Sequence, residues 1–290
     1  MATSLFNSPP ASLRALGLRG SAGLLLVFLL PRANFAQVNT TWQGLAKAGL
    51  SAVTISSAGA LCSHKQHSIY CAADSDEGSW LWLPGGLVQQ HEIHAVDLHT
   101  RQASTARQRV AAIRQELQRL PVRMPLSAEH SFALVFCDGT SASEGFLMQA
   151  WYASGRFPCL AVGGSAGEDL AHGATDIGTH HGVLQQHALV ILCSMAKGTS
   201  FAPFKTQSFK ATEYSWLIAE ADPVAREVRS VFNDQAQTQS LVEVLCAHFR
   251  CATQQLSQAL QNHSFAVEGG RRFFYSLHLA NHSRRRALLL

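Results

Sequence analysis

Charge is scarce in this chain: 14% of its 290 residues are Asp, Glu, Lys or Arg, against 47% hydrophobic. So apolar a composition excludes intrinsic disorder, which needs few apolar residues and a high net charge. The net charge of +4 is too weak for a nucleic-acid face, and Arg284-Arg285-Arg286 reads as a solvated tail. Glycine (21) and proline (9) stay near ordinary usage, which excludes collagen-like and low-complexity chains. The apolar run Ala22 to Leu30 falls short of the about 20 residues that a membrane-spanning helix takes. Seven cysteines at irregular spacing, with no CxxC, exclude a disulfide framework, a zinc ribbon and a thioredoxin-like motif. His91 to Ala95 reads HEIHA, without the HExxH spacing of zincins.

What is present is a repeated strand–helix–strand pattern. Leu24 to Leu30 reads as a strand, Asn34 as the cap of a helix from Phe35 to Ala48, and Gly49 as its end. Leu50 to Ile55 is the next strand, breaking at Ser56-Ser57-Ala58-Gly59. About a hundred residues later the order returns. Phe132 to Cys137 is a strand, Asp138-Gly139 a turn, Ser141 to Ser154 a helix, and Pro158 to Val162 a strand that breaks at Gly163-Gly164-Ser165-Ala166-Gly167. Such self-similarity points to a duplicated βαβ unit. Arg14 and Arg19 before the first run, with Ala33 and Ala36 after it, also fit a signal peptide. The duplication favours the strand, because buried parallel strands are continuous apolar runs.

Elsewhere, Ser104 to Leu120 reads as an amphipathic helix with Val110, Ile113, Leu117 and Leu120 on one face and Arg and Gln on the other. His91 to His99 and His187 to Met195 read as strands, Asp222 to Phe232 and Leu241 to Leu260 as helical, and Arg271 to Leu279 as a strand. The fold class expected is α/β, with duplicated βαβ units, mixed sheets and two parts. Residues 1–21 read as a disordered leader, 22–220 as one domain and 221–290 as another.

Gly163 to Gly167 fits G-x-S-x-G directly after a strand, which in α/β-hydrolases exposes a nucleophilic serine. Asp222 with His248 or His263 would complete the order of a hydrolase on Ser165. Against it, no Gly-rich oxyanion loop precedes the serine, and the first copy repeats Ser57-Ala58-Gly59 without the leading glycine. Ligands of open α/β sheets bind beyond the strand carboxyl ends, where small residues let backbone N–H groups reach an anionic group. The expected ligand site is therefore Ser57, Gly59, Gly163, Gly164, Ser165 and Gly167, with no catalytic residue and no metal. The histidines lack a common face and read as satisfied or solvated. Reduced thiols favour the cytoplasm, where the sequons at Asn39, Asn262 and Asn281 carry no meaning.

The runs Thr54 to Cys62, Phe136 to Gly139, Ala161 to Gly167 and Ala219 to Pro223 resemble the FIST sensory domain family, and Ser79 to Pro84 and Phe204 to Lys210 add to the likeness. The resemblance covers roughly residues 22 to 280 in the expected order, as in the input domains of some bacterial methyl-accepting chemotaxis proteins. It implies an intracellular sensor of small ligands, amino acids among them, and not an enzyme. Its output would be a downstream partner such as a histidine kinase or a chemotaxis component, with no nucleic acid involved. One branch, the NosP-like proteins, binds haem and senses nitric oxide; otherwise the resemblance implies no cofactor. Residues 22–220 correspond to the FIST N part and 221–290 to a drifted or partial FIST C part. In the latter, Asn233-Asp234-Gln235-Ala236 replaces the family's Asn-Gly and Pro-Ala pattern.

Overall fold

The computed structural model describes residues 2–6, 23–29, 35–64, 67–71, 78–101, 105–167, 175–204, 214–222, 224–225, 227–260, 263, 265–269 and 273–277. Asn34 and Ser104, expected at helix starts, lie outside them, as does most of Phe204 to Lys210. The chain divides into two units, Met1–Ala202 and Pro203–Leu290.

In the first unit the order is β1 (Ala2–Phe6), β2 (Gly23–Leu29), α1 (Phe35–Lys47), β3 (Ala52–Ser56), β4 (Ala60–His64), β5 (His67–Cys71) and β6 (Gly78–Pro84). There follow β7 (Val88–Asp97), α2 (Ala106–Arg119), β8 (Ser131–Asp138), α3 (Glu144–Ser154), β9 (Leu160–Ala166), β10 (Ile177–Thr179), β11 (Gly182–Leu184) and β12 (His187–Met195). Beside the two-stranded β4–β5 hairpin, two larger sheets result, and their first four strands have the same order: β1-β6-β2-β3 and β7-β12-β8-β9. Within each, the βαβ pair (β2 with β3, β8 with β9) is parallel and the other neighbours are antiparallel. The duplication therefore extends beyond strand–helix–strand to a returning strand and an edge strand. A hairpin also crosses between the copies: β10, from the second, pairs with β3 of the first, Ile177 opposite Ile55.

Alternation along the strands builds two faces on each sheet. Leu24, Leu26, Val53 and Ile55 of the first sheet and Leu189, Ile191 and Cys193 of the second form one cluster between the sheets. The other face of the first sheet, with Leu25, Val27 and Trp80, packs with Val38 and Leu45 of α1. On the second sheet the alternate residues Ala133, Val135, Val190 and Leu192 are also buried. There α2 and α3 pack on each other and α2 packs on β7.

The helices begin and end where local chemistry directs. Thr105 and Gln108 form a capping box at the start of α2. Gly49 and Gly155 follow α1 and α3 at φ +78° and +62°, a left-handed conformation that costs glycine little. Arg109 departs from the expected polar face of α2. It is buried, donating from Nη2 to Thr100 O at 3.2 Å and lying 5.3 Å from the centre of the Phe146 ring. Leu24–Val27 are all buried in a strand flanked on both sides, so the first apolar run is a strand of the sheet. Ala2–Phe6 is an edge strand inside the segment read as a leader; its order comes from pairing with β6, which local composition does not reveal.

The second unit comprises β13 (Leu217–Asp222), β14 (Glu227–Phe232), β15 (Thr238–Ser240), α4 (Leu241–Phe249), α5 (Leu256–Ala259), β16 (Phe265–Gly269) and β17 (Phe273–Leu277). Its core joins Val228 and Val231 to Leu241, Leu245, Leu256 and Leu260. The helix expected from Asp222 to Phe232 is replaced by the hairpin of β13 and β14. Asp222 Oδ1 does accept from the N–H groups of Val224 and Ala225 at 2.8 and 3.0 Å, as a helix cap would, but here the same bonds close a turn. The helical stretch from Leu241 is shorter than expected, interrupted after Phe249 by Arg250 at φ +52°.

Among the described residues no helix is long and apolar enough to cross a membrane. Ile191, fully buried between the sheets, supplies a test of the core. Ile191→Ala should lower stability by about 3 kcal/mol in urea unfolding, and a loss below about 1 kcal/mol would contradict its place there.

Candidate functional site

The carboxyl ends of β3 and β9 meet. Just past β9, the N–H of Gly167 donates to Ser56 O at 3.0 Å, so the two Ser-Ala-Gly segments are joined by backbone. Phe28 of β2 and Phe136 of β8 stack edge-on with ring centres 5.9 Å apart, bringing the other two strands of the parallel pairs together as well. Ser56 is bound twice to the chain before β10: its N–H donates to Asp176 O at 3.0 Å and its Oγ accepts from Asp176 N at 3.1 Å. Asp176 is itself buried and accepts from Gln185 Nε2 at 2.7 Å.

Each residue expected at the site has a distinct part here. Ser57 Oγ donates to Gly59 O at 2.5 Å, closing a tight serine turn. At Gly167 a Cβ would come within 2.6 Å of Ala58 N and 2.9 Å of Ala58 Cβ, so no larger residue allows the two segments to touch. Gly163 is closed too, since a Cβ would overlap Val135 O of the neighbouring strand. Gly164 differs: nothing lies within 4 Å of where its Cβ would be. Ser165 is exposed, and its Oγ donates to Glu144 Oε1 at the start of α3.

The break expected at Gly163 is a correction. Gly163 to Ala166 continue β9, paired in parallel with β8 as Val135 to Gly163 and Cys137 to Ser165. Local composition reads glycine pairs as turns, whereas the strand here is held by its neighbour. Ser165 therefore stands on a strand and not on a strand-to-helix elbow. The other residues of the hydrolase reading belong to the second unit. There Asp222 binds the turn described above, His248 packs against Tyr214, Trp216 and Phe249, and His263 bonds Ala259 O.

Three contributors were not foreseen from sequence. Glu144 faces Ser165; Gly139, where a Cβ would overlap Ala166 O, lets β9 close on the β8–α3 turn. Asp138 is buried beneath, its Oδ1 accepting from Thr140 N at 2.8 Å and its Oδ2 from Gln186 N at 2.6 Å. An Asp-Gly directly after a strand and followed by a helix is the signal that could have marked them. Beside Asp176, Thr175 Oγ1 is buried without a hydrogen-bond partner among the described residues.

Over residues 23–231, more than half of the sequence, the chain matches the FIST N domain family. The chain belongs to that family. No curated protein matches it. FIST is a sensory domain family, so the strand-end meeting place belongs to a domain whose class is small-ligand sensing. The match spans the whole of both duplicated copies from β2 onward and continues into β14 of the second unit.

At the far end of the same FIST unit, before β3, Ser51 Oγ lies 2.6 Å from His91 Nε2, and His94 Nε2 lies 3.1 Å from Glu92 Oε2. Burial pushes His91 below the ordinary histidine range. It does the same to His94, against the opposing pull of Glu92 and with help from Arg156 and His181, and to His180, where His181 and His94 add to it. No group of three or more potential metal ligands occurs among the described residues.

Two outcomes follow from this geometry. Gly167→Ala should destabilise the fold by about 1–3 kcal/mol while Gly164→Ala stays within about 0.5 kcal/mol, as measured by urea unfolding; equal effects would contradict the packing at Gly167. The depressed histidines are neutral when folded and bind protons more readily when unfolded, so stability is fully present above their unfolded value of about 6.5 and falls as pH drops through it. Thermal unfolding at about pH 7.5 and 5.5 should show that loss, and His91→Gln should reduce it; an unchanged pH dependence would remove His91 from the account.

Proposed function

We propose that this FIST protein is a cytoplasmic signal-input protein that binds a small ligand where its two Ser-Ala-Gly segments meet. The observation that carries the reading is the contrast between Gly167, closed against Ala58, and Gly164, open to solvent on the adjoining strand. One glycine holds the two copies together and the other leaves backbone accessible beside them. Ser57, Gly59, Gly163 and Ser165 complete the site, with Glu144 presenting the one carboxylate on Ser165. Amino acids are the ligand class, the carboxylate facing backbone N–H groups and the ammonium facing Glu144.

A ligand at this meeting place acts on both copies at once. It shifts their balance only through different affinities for two arrangements, and the shifted arrangement is what a histidine kinase or chemotaxis component reads. The FIST N part of that sensor runs to residue 231 rather than the expected 220, and the remainder of the chain is its drifted FIST C-type part. Free thiols at Cys159, Cys193, Cys246 and Cys251 support a reducing compartment.

Haem, carried by one branch of the family, needs an axial His, Cys, Met or Tyr facing a broad apolar slot. Among the described residues, His91, His94 and His187 are hydrogen-bonded to Ser51, Glu92 and Gln185 O, and Cys137, Cys159 and Cys193 lie in the core. A cavity in the second unit is lined by none of the four residue types. None of these engaged or buried groups, nor the lining of that cavity, offers haem an axial ligand.

Calorimetry of the full chain against a panel of amino acids tests the proposal. At least one should bind saturably, and Gly164→Leu should weaken it by about tenfold or more without lowering the melting temperature. Unchanged affinity in Gly164→Leu would overturn the site, and labelling of Ser165 by a fluorophosphonate would favour a hydrolase instead.

A further inference from the structure

The second unit holds a cavity of about 600 Å³, within the range of small-molecule sites. Its walls come from the segment leading into β13, from β13 and β14, the turn after β14, β15 and α4, all inside this unit. Trp216, Val231 and Val244 supply apolar surface, and Ser215, Asp234 and Gln239 supply polar groups. Those three polar side chains have no hydrogen-bond or ion-pair partner among the described residues, so they are free to meet a ligand. Leu217, also in the lining, is an apolar side chain with 71% of its surface exposed.

The walls are held in place. His248 of α4 packs edge-on against the Trp216 ring at 5.9 Å. Asn233 Oδ1 accepts from the N–H groups of Gln235 and Gln237 at 3.0 and 2.8 Å, tying the rim into a closed turn with Ala236 at φ +57°. A site whose rim is built before binding loses less freedom when a ligand enters.

The charge of the lining selects the ligand. Among the described lining residues Asp234 is the one ionisable group, so an anion or a zwitterion's carboxylate finds no counter-charge in them. An indole face attracts cations as well as apolar surface. We propose that this cavity is a second ligand site, for a small organic cation whose apolar or aromatic body packs against Trp216, Val231 and Val244 and whose ammonium group faces Asp234. It is independent of the site at the Ser-Ala-Gly segments, which lies in the first unit.

The probe is 2-phenylethylamine, titrated into the full chain by calorimetry, with phenylacetate as the same ring bearing the opposite charge. The amine should bind saturably and phenylacetate should not. Asp234→Asn, an exposed change, should weaken the amine about fivefold, as expected for a solvent-exposed charge pair. Val244→Phe, which fills the cavity, should abolish binding; should that variant fail to fold, Asp234→Asn decides alone. Gly164→Leu should leave the amine's affinity unchanged, so that failure at the other site is told apart from failure here. No saturable amine binding, equal binding of phenylacetate, wild-type affinity in Asp234→Asn, or loss in Gly164→Leu would each overturn the assignment.

Discussion

At the carboxyl ends of β3 and β9 two segments pass so closely that one added methyl at Gly167 would overlap the backbone of Ala58. That contact, with the hydrogen bond from Gly167 to Ser56, joins two copies of the same strand arrangement. Asp176 then carries the chain from β9 back across Ser56, and β10 adds itself to the first sheet. Ile55, Ala166, Ile177 and Leu189 are buried together immediately below. The surface segments therefore adjoin the layer between both sheets, where close-packed side chains leave little free space.

Much of this fold is legible along the chain because its periodicities are local. The run Leu24 to Leu30 is apolar at every position, which suits a strand covered on both faces, and the structure covers it with the inter-sheet layer on one side and α1 on the other. Gly49, and Pro121 directly after Leu120 at the end of α2, mark helix ends through backbone chemistry that needs no tertiary context. What was not legible depends on partners distant in sequence. Gly163 and Gly164 lie in a strand because β8 pairs with them, and Arg109 is buried because Phe146 and Thr100 surround it. Asp222 illustrates a true ambiguity: its carboxylate binds the next two N–H groups in either a helix cap or a turn.

The site shows the same division. The three glycines of Gly163 to Gly167 are alike as letters, yet two are closed by neighbouring backbone and one opens to solvent. Only the packing of β9 against β8 on one side and Ala58 beyond its end separates them. Ser165 was marked by its motif, but its partner Glu144 was not, since 21 positions separate the two in sequence. The second unit adds a cavity whose walls are assembled from a hairpin that local chemistry disguised as a helix.

The central claim is that the two Ser-Ala-Gly segments receive one ligand together. Amide chemical-shift mapping of the full chain, titrated with an amino acid that binds it, measures this directly. The account predicts that Ser57, Ala58 and Gly59 shift along with Gly164, Ser165 and Gly167, saturating with a common dissociation constant. Shifts confined to one segment, or absent from both while the ligand saturates elsewhere, would contradict it.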